Sequence, residues 1–287
     1  MERLRRRVLV PLFDRLGYDL VPAAPDWSHR PTSPREVDLL LSSAAASLER
    51  DLAASGITPS GDVREWTKTF WDLIPSAPVR QRRGGSGFNG ALQLYVALRA
   101  LKPRIVIESG VFRGLTTWVI RQACPDASIH CHDPDLSGLQ YRDAAATYGT
   151  ADWSEADGYG RDPAGTVAFF DDHVPQARRV VEAQARGLTR LLFDDDAAGH
   201  RIHAHGGPAH PTIAMIEALR DASEPIRWQR NGRAFEQPAD DPLARAAAAA
   251  IARTHAFDDL HRATGYAPAR LTSVTLHAPA ASRGWAA

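Results

Sequence analysis

Lysine is almost missing from this chain. Lys68 and Lys102 are the only lysines among 34 basic residues, so an amine acting as base or nucleophile has very few places to come from. Cysteine is as scarce. Cys124 and Cys131 are too few for a disulfide framework. Both read as small buried residues of a reducing compartment, which makes a cytoplasmic location the expectation. Net charge is missing too. With 34 basic against 34 acidic residues and a sequence pI near 7.2, the chain has no overall attraction for nucleic acid or for an anionic membrane. Long hydrophobic runs and internal repeats are also lacking. The opening MERLRRRVLVPLF turns from basic to apolar, but its apolar part is too short for a signal-peptide core or a membrane span. It reads as a short helix docked on the body. The alternative is a peripheral membrane foot of Arg5, Arg6 and Arg7 beside Val8, Leu9 and Leu12. Stable membrane insertion is not expected.

What remains is an ordinary globular composition, 44% hydrophobic and 24% charged over 287 residues, enough for one large domain with an extension. Residues 1–83 read as a helical N-terminal extension, with helices over Arg35–Ala54 and Val63–Ile74. The second of these carries Trp66, Phe70, Trp71 and Leu73 on one face. The aromatic helices offer a surface for a homo-oligomer or a cover for a substrate. A Pro/Arg/Gly-rich stretch ends in GGSGFN at 84–89, either a linker or a loop that closes over a ligand. Residues 84–287 alternate strands with helices. Strands are expected at 104–108, 128–132, near 148–152, and at 166–170, 188–193 and 271–277. Helices are expected at 90–101, 116–123, 139–148, 175–186, 212–221 and 243–254. This rhythm predicts an α/β, Rossmann-like, mostly parallel sheet with helices on both faces. Ligands of such sheets lie at the carboxyl ends of the strands.

The loop after the first of these strands reads Glu108-Ser-Gly110-Val-Phe-Arg-Gly114. Two glycines four apart allow a sharp turn and a close backbone approach. The spacing is not the GxGxxG of a dinucleotide site. The next strand ends in His132-Asp133-Pro134-Asp135, and an acid there suits ribose hydroxyls. Two later strands also end in acids, Asp171-Asp172-His173 and Asp194-Asp195-Asp196. A parallel sheet brings such clusters side by side. Converging carboxylates repel unless a cation neutralises them, and hard oxygen ligands suit Mg²⁺. Separately, each acid is a plausible helix cap.

The E-x-G-x-x-x-G loop with its downstream acid resembles motif I of class I S-adenosylmethionine-dependent methyltransferases. The carboxylate pairs resemble the divalent-metal-dependent O-methyltransferases, the catechol O-methyltransferase-like and cephalosporin hydroxylase-like branch. The resemblance spans roughly residues 84–277 and rests on short motifs. It implies that Glu108, Gly110 and Gly114 cradle the cofactor's methionine part and that Asp133, or failing it Asp135, binds the ribose. It places Asp152 at the adenine with Trp153 stacking there, and makes Asp172, Asp194 and Asp195 the Mg²⁺ ligands, with Asp171 or Asp196 as substitutes. One departure stands out. The branch carries a lysine base shortly after the fourth-strand acid, where this chain has Val174 and Pro175. His173 is the nearest replacement, since imidazole titrates near neutrality. His200, His203, His205 and His210 follow the fifth strand as a polar lid or a reserve of bases and ligands. The implied activity is Mg²⁺-assisted O-methylation of a small-molecule hydroxyl, on a sugar or a natural product. Two alternatives remain open. One is a non-heme metal oxygenase or hydrolase using the loop histidines, and the other a catalytically silent cofactor-binding protein.

Overall fold

The computed structural model describes residues 8–16, 33–79, 85–156, 162–194, 196, 210–230 and 233–278. A short helix α1 spans Val10–Arg15. Helix α2, Pro34–Ala54, starts at Ser33, whose hydroxyl accepts from the Glu36 N–H, with Pro34 in the first turn. Helix α3, Val63–Leu73, is capped by the Asp62 carboxylate, which accepts from Arg64 and Glu65 N–H groups. Then come α4 (Phe88–Leu101), β1 (Ile105–Ser109), α5 (Leu115–Ala123), β2 (Ser128–His132), β3 (Thr147–Gly149), β4 (Thr166–Phe170), α6 (Gln176–Ala185) and β5 (Arg190–Phe193). The chain continues through α7 (Ile213–Leu219), β6 (Ile226–Arg230), β7 (Arg233–Gln237), α8 (Pro242–Ala250), β8 (Ile251–Ala256), α9 (His261–Thr264) and β9 (Thr272–Leu276).

Seven strands form one sheet in the order β3-β2-β1-β4-β5-β9-β8. Strands β1 to β5 pair in parallel, and β9 runs antiparallel to both β5 and β8. Side-chain parity divides the core in two. Val106, Val167, Phe169 and Leu192 join one apolar cluster with α2 to α5. Ile107, Ala168, Phe170, Leu191 and Phe193 join a second cluster with α6, α7 and α8. Both faces are covered, which is why these strands read as nearly unbroken apolar runs. Residues of the N-terminal helices share the first cluster. Buried Asp51 of α2 reinforces this packing, accepting from His255 Nε2 at 2.9 Å and from the Asp258 N–H at 3.1 Å. Among the described residues no helix is long and apolar enough to cross a membrane.

Two sequence expectations are corrected, and one element is added. The helix expected at 139–148 is irregular chain with a turn at 144–145 that runs into β3. Its Asp143 carboxylate accepts from the Ala145 N–H at 2.8 Å and pairs with Arg121, a local side-chain bond that competes with helix formation. The helix expected at 243–254 stops at Ala250 and passes directly into β8, because Ile251 leaves the helical region at ψ 119°. The hairpin β6–β7 was not expected, although Asn231-Gly232 between IRWQR and RAFEQ is a hairpin signal.

Candidate functional site

The sheet order places β1 beside β4, so the chain leaves the sheet in opposite directions on either side of that pair. This is the switch point where open α/β sheets hold ligands. The loop after β1 lies there. Gly110 has φ +92°, and its N–H donates to the His132 carbonyl at 2.8 Å. A Cβ on Gly110 would lie 2.0 Å from the Asp171 carbonyl oxygen. Gly114, at φ +87°, forms the N-cap of α5, and a Cβ there would lie 2.4 Å from the Tyr141 carbonyl oxygen. Both glycines are therefore required by backbone that crosses behind the loop. Phe112 between them has φ +50° and is about half exposed.

Asp133 holds this loop in place. Its Oδ2 accepts from the Val111 and Phe112 N–H groups, each at 2.8 Å, and its Oδ1 accepts from the Asp135 N–H at 2.9 Å. A carboxylate offers about four acceptor positions, so roughly one is left for a ligand hydroxyl. Asp135 is exposed and accepts from the Ser137 N–H. Opposite the loop lie Gly85 and Ser86 of the GGSGFN stretch. Together with Val111, Phe112, Arg113, Thr116 and Asp171 they line one cleft; Gly84 falls outside the described residues.

Glu108 lies beneath the cleft. It is fully buried and accepts hydrogen bonds from the hydroxyls of Thr116 and Thr117 in the first turn of α5, and from Cys131 Sγ at 3.3 Å. The expected contact with a cofactor would have to reach it through Thr116 and Thr117. Burial raises its pKa from 4.5 to about 7, partly offset by the threonine bonds. Folded protein thus holds a proton on Glu108 between pH 4.5 and 7 that the unfolded chain has lost. The sign follows from linkage: this group's contribution to stability is greatest below pH 4.5 and falls as pH rises through 7, by about 3 kcal/mol. Glu108→Gln carries no titrating proton there. Urea unfolding between pH 5 and 8 is expected to show a shallower decline for the variant than for wild type. Parallel stability curves would contradict the buried-acid assignment.

The other acids divide between two groups. Asp152, expected near an adenine, and Asp172, expected on a metal, meet at one buried guanidinium, that of Arg179 on α6. The side chain of Arg179 is 3% exposed. Its Nη1 and Nη2 donate to Asp152 Oδ1 and Oδ2 at 3.0 and 2.9 Å, and its Nε donates to Asp172 Oδ2 at 2.8 Å. Glu182 Oε2 accepts from Nη1 at 2.8 Å. Burial would raise the pKa of Asp152, but the Arg179 and Ser154 hydrogen bonds hold its carboxyl well below the usual range. Trp153 is buried against Phe170, with ring centroids 5.4 Å apart, in the second core cluster. Asp172 also accepts from the Ser109 hydroxyl and from the Val174 N–H at 3.2 Å. His173 follows at φ +56°, exposed at the same edge.

At the end of β5, Asp194 Oδ2 accepts from the Ser86 hydroxyl at 3.1 Å, and its carbonyl accepts from Gln176 Nε2 at 3.1 Å. Asp196 is committed to the Ala214 N–H and the Thr272 hydroxyl, both at 2.8 Å. Asp195, His200, His203 and His205 lie outside the described residues. His210 Nδ1 pairs with Gln237 Oε1 at 2.9 Å, and its ring meets Trp228 edge-on.

Of the expected Mg²⁺ ligands, Asp172 and Asp194 are described and Asp195 is not. Asp172 already faces a buried positive charge, and among the described residues no group of three or more His, Cys, Asp or Glu side chains is arranged to hold a metal. The residue that sequence reasoning missed is Arg179. Its signal was available: Gln176, Arg179 and Ala183 recur at helical spacing on the buried face of α6, and a charge on that face must be paired.

No protein-family profile matches the chain, and no curated protein matches it. Among solved structures, the O-methyltransferase TomG of Streptomyces achromogenes, involved in tomaymycin synthesis and in complex with SAM, is 14% identical. That match covers 96% of this chain and all of TomG at a TM-score of 0.40. The N-terminal domain of EvdMO1 with SAH bound is 13% identical over 76% of this chain and 98% of its own, at 0.39. An SAH-bound methyltransferase of Podospora anserina is 10% identical over 87% and 99%, at 0.35.

Proposed function

We propose that the chain is an S-adenosylmethionine-dependent O-methyltransferase acting on a small-molecule hydroxyl, of a sugar or a natural product. The observation that supports it best is the loop at the switch point. Gly110 and Gly114 turn it in the left-handed region, Asp133 clamps it from the end of β2, and Gly85 and Ser86 face it across a cleft. In this reading the adenosyl group lies against the loop. Asp133 keeps an acceptor position for a ribose hydroxyl, and the first turn of α5 supplies N–H groups for a carboxylate. When bound, this cofactor supplies an electrophilic methyl group on a sulfonium. The protein has two tasks, to hold the acceptor oxygen in line with that methyl and to take its proton. His173 is the exposed imidazole at the same edge and is assigned the proton. Asp172, fixed by Ser109 and Arg179, precedes it and holds the turn that presents it. The Mg²⁺ expected from the sequence has no supporting donor set among the described residues, so no step is assigned to a metal.

The test is methyl transfer measured against a panel of sugar and natural-product hydroxyls. With an accepted substrate, His173→Ala is expected to lower kcat by ~100-fold or more while S-adenosylhomocysteine affinity stays within ~3-fold, the range of a lost general base. An unchanged kcat would remove His173 from the mechanism. No turnover on any hydroxyl, by protein that binds no cofactor, would remove the methyltransferase reading.

A further inference from the structure

We infer that Arg179, and not a divalent cation, neutralises the Asp152, Asp172 and Glu182 carboxylates at the carboxyl end of β4, so that Asp172 is not a metal ligand. This rests on the side chains alone.

Guanidinium has five N–H donors in a rigid planar fork and no acceptor. In this structure four of them donate to carboxylates, and Nη2 also lies at ion-pair distance from Asp172. Nε and Nη2 lie 2.8 Å from Asp172 Oδ2, Nη1 and Nη2 lie 3.0 and 2.9 Å from the two Asp152 oxygens, and Nη1 lies 2.8 Å from Glu182 Oε2. The group is almost wholly buried. Burial alone would lower its pKa, and the carboxylates hold it above its ordinary value, so it stays charged. Three acids from three segments converge on one point: Asp152 after β3, Asp172 after β4 and Glu182 within α6. A hard cation would require the same oxygens at about 2.1 Å. It cannot share the position with a fixed positive charge. For Asp172, the arginine therefore performs the neutralisation that the acid pattern led one to assign to Mg²⁺; Asp194, which accepts from Ser86, is not among its partners. Arg179 neutralises with a charge that cannot dissociate, and it joins the segments after β3 and β4.

The experiment compares Mn²⁺ binding by electron paramagnetic resonance, and thermal melting with Mg²⁺ or a chelator, for wild type, Asp172→Asn and Arg179→Ala. Any Mn²⁺ bound by wild type is expected to be retained by Asp172→Asn with an affinity within ~3-fold. Arg179→Ala leaves three carboxylates facing one another. It should melt lower in chelator and recover by more than ~3 °C with millimolar Mg²⁺, a gain that a merely structural arginine would not produce. If Arg179→Ala does not fold, the wild-type arm decides. Stoichiometric Mn²⁺ on wild type, abolished by Asp172→Asn, would overturn the inference. So would a folded Arg179→Ala that ignores divalent ions. Binding of S-adenosylhomocysteine by the same wild-type sample, measured separately, shows whether a failure belongs to the ion assignment or to the methyltransferase reading.

Discussion

Asp133→Ala is expected to weaken S-adenosylhomocysteine binding by ~100-fold or more, a loss of about 2.7 kcal/mol. The reasoning does not depend on the ribose contact alone. Asp133 accepts from the Val111 and Phe112 N–H groups and from Asp135. Hydrogen bonds to a charged group contribute ~1.5–3 kcal/mol each. Removing the carboxylate leaves a loop that already contains Phe112 at φ +50° without the group that offsets that strain. The cleft must then be ordered by the ligand itself, and binding weakens by that cost as well as by the missing ribose contact. Asp133→Asn keeps one oxygen toward Val111 and Phe112 and should fall between the two. Calorimetry on both variants, with folding checked by circular dichroism, measures this. An affinity for Asp133→Ala within ~3-fold of wild type would show that the loop is held by something else.

The second large effect is on folding. Gly110→Ala is expected to destabilise the protein by more than ~4 kcal/mol. Its Cβ would lie 2.0 Å from the Asp171 carbonyl oxygen and 2.9 Å from the Asp172 nitrogen, and backbone cannot rotate away as a side-chain tip can. Relief requires parting β1 from β4 where the Asp171 N–H donates to the Ser109 carbonyl at 2.8 Å. The φ of +92° adds strain for any residue with a Cβ. The same shift would displace Asp172 and His173, so residual folded protein should have lost turnover too. Gly138→Ala is the control, since a Cβ there meets nothing within 4 Å, and it should change stability by less than ~0.5 kcal/mol. Equal midpoints of denaturant unfolding for Gly110→Ala and wild type would contradict the packing described for this loop.

The parts of the fold legible in the sequence were those with a strong local cause. Apolar runs such as TVAFF mark strands covered on both faces, and Ser33-Pro34 marks the start of α2. Glycine spacing located the turn after β1. Partners across the fold were less legible. Glu108 follows Val106 by two residues in β1, so it faces α5, and that parity was readable; that Thr116 and Thr117 would meet it there required the helix to be in place. The aspartates after β4 and β5 were readable as acids converging at one edge. That Asp152 and Asp172 meet at one guanidinium was not, because Arg179 comes from a helix residue whose partners are fixed only by tertiary packing. The chain at 139–146 was not legible, because the Asp143 carboxylate takes the Ala145 N–H that a helix would give to a backbone carbonyl.

The central claim is that the loop at the switch point holds S-adenosylmethionine. Titration calorimetry of folded wild-type protein with S-adenosylmethionine, S-adenosylhomocysteine and a nicotinamide dinucleotide tests it most directly. The account predicts saturable one-to-one binding of the first two and none of the third, because the loop lacks the GxGxxG turn. Binding of the dinucleotide, or no binding of either adenosyl compound, would contradict it.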